Sequence, residues 1–172
     1  MRIKSIAFTA LGVAFIAVLA QIAVPMPWGV PFTLQMLAVA FVGFMLPVKY
    51  SFVTAIVYIL LGAVGAPVFS SFGAGVVRLA SPTGGFILGF IPFVVLCSLA
   101  ANKSGAMRYS FIALGLILCH AVGVIWFSVV CAQGLWASFV CASLPYLVKD
   151  IVCIIVGLRC AEKLKKVYKL DM

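Results

Sequence analysis

Long stretches of this sequence contain almost no charged residue, and this scarcity restricts the possible folds more than any other feature. Only 9% of the 172 residues are charged, while 66% are hydrophobic and the mean hydropathy is +1.33. A soluble domain is usually about 25% charged, and so few polar side chains could not cover a surface in water. Because a chain in lipid must satisfy its own backbone hydrogen bonds, we predict an all-α membrane protein that forms one domain over residues 1–172.

Six apolar runs are candidates for membrane-crossing helices, each of which needs about 20 residues, with a range of about 17–25. They are residues 5–24, 33–48, 50–66, 84–101, 109–131 and 136–160. The second run is short, and Pro92 allows a kink in the fourth. The first run is longer than the apolar core of about 7–15 residues in a signal peptide, so we interpret it as a retained helix.

Basic residues lie at the ends of these runs, in a pattern that sets the orientation of the chain. With six crossings, ten of the twelve fall on one side of the membrane: Arg2, Lys4, Lys49, Lys103, Arg108, Arg159, Lys163, Lys165, Lys166 and Lys169. Cytoplasmic loops of membrane proteins carry an excess of Lys and Arg, which predicts that both termini are cytoplasmic. The net charge of +9 therefore indicates topology, with contact to membrane lipid, rather than binding to nucleic acid.

The sequence lacks the motifs of an enzyme or of a metal site. It has no G-x-x-x-x-G-K-[ST], G-x-S-x-G or H-E-x-x-H segment and no pair of carboxylates within one apolar run. The six cysteines form no C-x-x-C pair and lie mostly in apolar runs, so we interpret them as small hydrophobic residues. We predict no catalytic activity, no metal and no cofactor.

The sixth run holds two ionisable residues, Lys149 and Asp150, in the segment LPYLVKDIVC. An ionisable residue at membrane depth costs about 2.5–3.5 kcal/mol on insertion scales and is a candidate functional residue. Pro145 should break or kink this helix, and irregular backbone within a membrane is tolerated where it is buried in protein or lines a wet cavity. We predict that Lys149 and Asp150 line a pocket that opens outward. The alternatives are an ion pair with each other or with a neighbouring helix, or a Lys149 side chain that snorkels to the membrane interface.

The segment between the third and fourth runs contains Arg78 and then SPTGG at the start of the fourth run. Glycines there would let a ligand approach the backbone, and a helix N-terminus favours an anionic group. Arg78 could bind a carboxylate, or it could contact lipid headgroups. His120, in the middle of the fifth run, has no carboxylate or second histidine near it in sequence, and we interpret it as a packing or interhelical hydrogen-bonding residue.

Four segments together resemble the BioY family. They are VPMPWGVPFTLQ (24–35), YILLGAVGAPVF (58–69), SPTGGFILGF (81–90) and LPYLVKDI (144–151). The resemblance extends from about residue 5 to residue 160. BioY proteins are biotin-binding S components of energy-coupling-factor vitamin transporters in the cell membrane. The resemblance implies six transmembrane helices, one biotin site near the outer face, and partnership with a membrane coupling subunit (EcfT type) and two cytoplasmic ATPases. It also implies that biotin is a transported substrate rather than a cofactor.

The resemblance assigns roles to particular residues. The proline-rich first loop would act as a lid, with Trp28 and Phe32 as apolar cover; without the family, its prolines could equally just end one helix and start the next. Residues that would line or fix the ligand are Thr33, Gln35, Tyr58, Arg78, Thr83, Gly84, Gly85, Lys149 and Asp150. A carboxylate at Asp150 suits the two N–H donors of a ureido ring.

The sequence departs from the family at one position of this set. A lysine commonly follows the family's aspartate by three residues, whereas that position here is Cys153 and a lysine precedes the aspartate, as Lys149. Either Lys149 or Arg78 could therefore hold the biotin carboxylate.

Small residues at Ala10 and Ala14 of the first run let another helix approach closely, and in S components such a motif docks the coupling subunit. Gly85 and Gly89 have the same spacing, so internal packing is an alternative use of the pattern. Other hypotheses are an S component for another vitamin, such as riboflavin or thiamine, a membrane protein that transports nothing, and an intramembrane enzyme.

Overall fold

The chain is mostly helical within residues 3–27 and 29–168, which a computed structural model describes. The α-helices are α1 (Ile3–Gln21), α2 (Gln35–Met45), α3 (Val48–Ala63), α4 (Val76–Ala80), α5 (Gly84–Ala101), α6 (Gly105–Val130), α7 (Leu135–Ala142) and α8 (Leu144–Tyr168). A hairpin of β1 (Ala23–Val24) and β2 (Phe32–Thr33), which we did not predict, lies between α1 and α2. Trp28, predicted as part of the lid, lies outside the described residues, as do Arg2 and Lys169.

The helices differ in whether they can cross a membrane by themselves. Among the described residues, α5 and α6 are long and apolar enough, and α7 with α8 form a third such segment that is bent by 48°. The helices α1, α2 and α3 are apolar but shorter. At 1.5 Å per residue, the 11 residues of α2 extend about 16 Å, about half the thickness of the hydrocarbon core.

The short helix α2 is surrounded by protein rather than by lipid. Ala38, Val39 and Ala40 are at most 1% exposed, and α2 packs against α1, α5 and α8. At the C-terminal end of α2, side chains satisfy the hydrogen-bonding capacity of the Leu46 carbonyl. Ser51 Oγ and Ser98 Oγ both donate to it, at 2.9 and 2.6 Å. Since orphan carbonyls at a helix end are costly when buried, these two serines allow α2 to end inside the molecule.

Helices α5 and α6 approach each other closely because glycine lies at their contact. A Cβ on Gly85 would be 2.2 Å from Trp126 Cβ, and a Cβ on Gly89 would be 2.9 Å from the Cys119 carbonyl oxygen. Packing must hold membrane helices together, since lipid is as apolar as the side chains. The Gly85–Gly89 pattern therefore serves internal packing.

The junction between α7 and α8 is the predicted break in the last apolar segment. The two helices meet at Ser143, and Pro145 lies in the first turn of α8, where the missing N–H costs no intrahelical hydrogen bond. The bend turns the first two turns of α8 toward the centre of the molecule, where Tyr146 and Asp150 are each 4% exposed.

Two connections converge at the end of α1. One is the hairpin, in which Ala23 pairs with Thr33 and Val24 with Phe32. The other is the segment 64–75, held by Gln21: its Nε2 donates to the Phe69 carbonyl at 3.2 Å, and its Oε1 accepts from the Phe72 amide at 2.8 Å. These two connections lie at the end of the helices where the cavity is found.

Candidate ligand-binding site

A polar-floored cavity lies between the hairpin, α2, α5, α6 and α8. Its lining side chains are Val30, Pro31, Thr33, Gln35, Met36, Ser70, Thr83, Phe86, Ile87, Phe90, His120, Ala142, Tyr146, Lys149 and Asp150. The volume open to the centre of a water-sized sphere is about 60 Å³, well above the roughly 10–15 Å³ that a cavity needs to hold one water molecule. Apolar and aromatic walls with a few convergent polar groups are typical of small-molecule sites.

Lys149 and Asp150 form a buried ion pair at the floor of the cavity. Lys149 Nζ lies 2.6 Å from Asp150 Oδ1, and the two side chains are 12% and 5% exposed. Lys149 Nζ also donates to the Thr33 carbonyl at 2.9 Å and lies 5.1 Å from the centre of the Phe32 ring. The lysine therefore joins α8 to the hairpin, through a hydrogen bond and a cation–π contact.

His120 reaches the same carboxylate from α6, although the sequence indicated a packing or interhelical hydrogen-bonding role for it without placing it at the site. Its Nδ1 lies 2.7 Å from Ser143 Oγ, and its Nε2 lies 3.2 Å from Asp150 Oδ2. Both His120 Nε2 and Asp150 Oδ1 are buried, and within the described part of the chain their ion-pair contacts do not have hydrogen-bond geometry. Because a buried polar atom without a well-aligned hydrogen bond is costly, these two atoms are candidates for contact with a ligand.

The amide of Gln35 faces the cavity from the first turn of α2. Gln35 Nε2 donates to Tyr58 Oη, which donates in turn to the Val68 carbonyl at 3.0 Å. Gln35 and Thr33 both line the cavity, whereas Tyr58 is 1% exposed and lies behind Gln35 rather than at the cavity wall. Tyr58 thus positions Gln35 and the 64–75 segment.

The SPTGG segment contributes Thr83 to the cavity wall. Its two glycines, which we predicted to contact a ligand, pack against other protein atoms instead. Thr83 lines the cavity and its Oγ1 lies 3.0 Å from Ser81 Oγ. A Cβ on Gly84 would lie 1.7 Å from the Leu79 carbonyl oxygen, and Gly85 packs on Trp126. Both glycines are close to protein atoms, and neither lines the cavity.

Arg78 lies on α4, next to the cavity rather than in its wall. Its guanidinium donates to the Ser70 carbonyl at 3.3 Å, and Ser70 itself lines the cavity. The structure therefore brings Lys149, but not Arg78, to the polar floor.

Several lining residues carried no recognisable signal in the sequence. Val30 and Tyr146 are joined by a hydrogen bond from the Tyr146 hydroxyl to the Val30 carbonyl, which ties the first loop to α8. Phe86 packs edge-on against the His120 ring at 5.8 Å between ring centres. A single tyrosine or histidine in an apolar run does not reveal which way it faces, so only the packing of the helices identifies these residues.

Within the described residues, no group of three or more His, Cys, Asp or Glu side chains is arranged to hold a metal ion. All six cysteines are free, and Cys153, at the position where the family commonly has lysine, is buried in the core. The polar chemistry of the cavity therefore rests on one cation, one carboxylate, one imidazole and neutral hydrogen-bonding groups.

These features define a helical integral membrane protein with a polar-floored cavity between its helices. Comparison with known proteins agrees: a profile of the BioY family matches residues 1–170. The chain belongs to the BioY family.

Relatives match over nearly the full chain. A probable biotin transporter BioY of Pyrococcus horikoshii is 34% identical over 96% of this chain and 98% of its own length. The biotin transporter BioY of Thermotoga maritima is 34% identical over 95% of each chain. Among solved structures, the S component for biotin from an ECF-type ABC transporter has a TM-score of 0.85, with 22% sequence identity and coverage of 96% of this chain and 92% of that one. At this identity the structural likeness supports the fold.

Proposed function

We propose that this chain is the biotin-binding membrane subunit of an energy-coupling-factor importer. It captures biotin from outside the cell and releases it to the cytoplasm together with a coupling subunit and two ATPases. Membership of the BioY family and relatives named as biotin transporters support this function. The observation that carries it within the structure is the cavity whose floor holds Lys149 and Asp150 side by side.

The groups in the cavity match the functional groups of biotin. The carboxylate of Asp150 accepts the N–H donors of the ureido ring, because a carboxylate has about four acceptor sites and its contacts with Lys149 and His120 leave some of them unused. Gln35 and Thr83 supply further donors and acceptors, while Phe86, Ile87 and the hairpin cover the apolar part of the ligand. Lys149 is the cation for the valerate carboxylate, because it lies at the cavity whereas Arg78 is bonded to Ser70.

The proposed topology has six crossings with both termini in the cytoplasm: α1, α2, α3, α5, α6 and the bent pair α7–α8. Supporting it, basic side chains from different helices meet at the end away from the cavity. Arg108, at the start of α6, pairs with Glu162 near the end of α8. Lys165, on α8, also lies near Arg108. A concentration of positive charge is typical of a cytoplasmic face.

The proposed docking surface for the coupling subunit is the face of α1 that carries Ala10 and Ala14. Both alanines are exposed, and Leu11 and Val18 beside them are 65% and 64% exposed. Small residues between larger apolar ones allow close approach of a partner helix. In contrast, Gly85 and Gly89 already pack against α6 and are not available to a partner helix.

Calorimetric titration of the detergent-purified chain with biotin, riboflavin and thiamine tests the proposed function. We expect saturable one-to-one binding of biotin and no binding heat from the other two vitamins. Preference for riboflavin or thiamine would assign the chain to another vitamin, and the absence of binding by all three would refute a role in vitamin capture.

A further inference from the structure

We propose that the site exchanges its ion pair when biotin binds, with His120 as the residue that makes the exchange possible. Lys149 leaves Asp150 for the carboxylate of biotin, and His120 takes up a proton and replaces Lys149 as the charged partner of Asp150. The inference rests on the proposed function and adds proton uptake to it. His120 acts here as a positioning residue for Asp150.

The surroundings of His120 can accommodate an imidazolium. A protonated imidazole has two N–H donors, whereas the neutral form has one. Ser143 Oγ lies 2.7 Å from Nδ1, and Asp150 Oδ2 lies 3.2 Å from Nε2. Each nitrogen therefore already faces an oxygen that can accept from it, although the Nε2 contact does not yet have hydrogen-bond geometry.

The groups that face His120 come from three directions. From α8, Asp150 and Lys149 face it with opposite charges; from the α7–α8 junction it meets the Ser143 hydroxyl. From α5, the Phe86 ring packs against it without a titratable group. On α6 itself the neighbouring Cys119 is completely buried against α5. The negative charge of Asp150, once freed from Lys149, is the interaction that would hold a proton on His120.

The exchange follows from the shape of biotin and from the position of Lys149. The ureido ring and the carboxylate are at opposite ends of biotin, whereas Lys149 Nζ lies 2.6 Å from Asp150. One ammonium group cannot stay on Asp150, which binds the ring, and also reach the carboxylate at the other end. When Lys149 turns away, Asp150, which is 4% exposed, would be a buried charge without a cationic partner, and this is strongly destabilising.

A proton on His120 restores the charge balance. The proton is transferred from solvent to the imidazole nitrogen: an N–H bond forms there, the matching bond to hydrogen breaks in the water or buffer molecule that donates it, and no other covalent bond changes. The loaded site then holds two cations, Lys149 and His120, and two anions, Asp150 and the biotin carboxylate. Imidazole is the side chain that ordinarily gains a proton closest to neutral pH, so the uptake is accessible under physiological conditions.

The proposal is tested by calorimetric titration of the purified full chain with biotin at pH 8 in phosphate and in Tris. These buffers differ in their enthalpy of ionisation, so the difference in binding heat gives the number of protons taken up. We expect about one proton per biotin, and affinity that falls by up to about tenfold per pH unit as the pH rises from 7 to 9. Biotin binding without proton uptake would overturn the inference and leave the proposed function standing, whereas the absence of biotin binding would overturn the proposed function itself.

Two comparisons test whether His120 is the group that takes up the proton and whether the carboxylate of the ligand causes the uptake. In His120→Gln, an amide replaces the imidazole, and we expect proton uptake to fall to near zero with a flat pH profile; undiminished uptake would overturn the assignment. Biotin amide, which lacks the carboxylate, should bind the unaltered chain without proton uptake. Equal uptake for biotin and its amide would overturn the exchange even if His120→Gln did not fold.

Discussion

The substitution Asp150→Asn separates the proposed binding role of this carboxylate from a purely structural one. Asparagine keeps the shape of the side chain but removes the charge that faces Lys149 at 2.6 Å and His120 at 3.2 Å. Asp150 is 4% exposed, so water cannot replace the lost interactions. We therefore expect the variant to bind biotin more weakly and to be less stable than the unaltered chain.

The size of both effects can be worked out from the contacts. A hydrogen bond to a charged group contributes about 1.5–3 kcal/mol, which corresponds to a loss of about 10- to 150-fold in affinity for each ureido bond lost. Removing one partner of a buried ion pair costs about 3–5 kcal/mol. The loss of stability should be at the lower end of that range, because Lys149 keeps its hydrogen bond to the Thr33 carbonyl.

Binding should be measured by calorimetric titration, and stability by thermal unfolding of the same preparations. Glu162→Gln is the matched control: Glu162 is also paired with a cation, Arg108, but at the opposite end of the molecule from the cavity. The control should lose stability without losing affinity. If folded Asp150→Asn bound biotin within twofold of the unaltered chain, Asp150 would not belong to the binding site.

Three further substitutions test the charge, the packing and the docking surface. Lys149→Met should weaken biotin binding by at least tenfold but weaken binding of biotin amide much less, as measured by titration; equal losses would exclude Lys149 as the partner of the carboxylate. Gly85→Ala should lower the free energy of unfolding by about 1–3 kcal/mol, because the new Cβ would be 2.2 Å from Trp126. Gly134 has open space around it, so the control Gly134→Ala should unfold like the unaltered chain. Ala10→Trp should keep biotin binding but prevent co-purification with the coupling subunit. The control Ala113→Trp, at an exposed position on α6, should leave co-purification intact. A complex that survives Ala10→Trp would exclude this face of α1 as the docking surface.

The polar residues of the sixth apolar run illustrate how far the sequence leads. A lysine and an aspartate next to a proline, within a run of apolar residues, predict a functional site because lipid excludes charge. The structure places Lys149 and Asp150 at the same cavity as Thr33, Gln35 and Thr83, five residues that the sequence singled out. The prediction that Pro145 breaks or kinks the helix is confirmed by the 48° bend between α7 and α8.

His120 shows where sequence reasoning stops. It is 30 residues from Asp150 and on a different helix, so no local pattern relates the two. Whether one histidine in an apolar helix faces lipid, a neighbouring helix or a cavity depends on the rotation of that helix, and α6 is apolar on all sides. Gly84 is the opposite case: its motif predicted contact with a ligand, but Leu79 occupies the space in front of it.

The amino-acid sequence alone determined that this protein is built from apolar helices in a membrane and that Lys149 and Asp150 are exceptional, because the cost of placing charge in lipid applies whatever the arrangement of the helices. The tertiary structure decided which side chains surround that pair. The Gly85 contact sets how closely α5 approaches α6, and the break at Ser143 turns α8 inward. Together these place His120, Ser143 and Tyr146 around the carboxylate, since contact between distant segments follows from packing geometry rather than from local sequence.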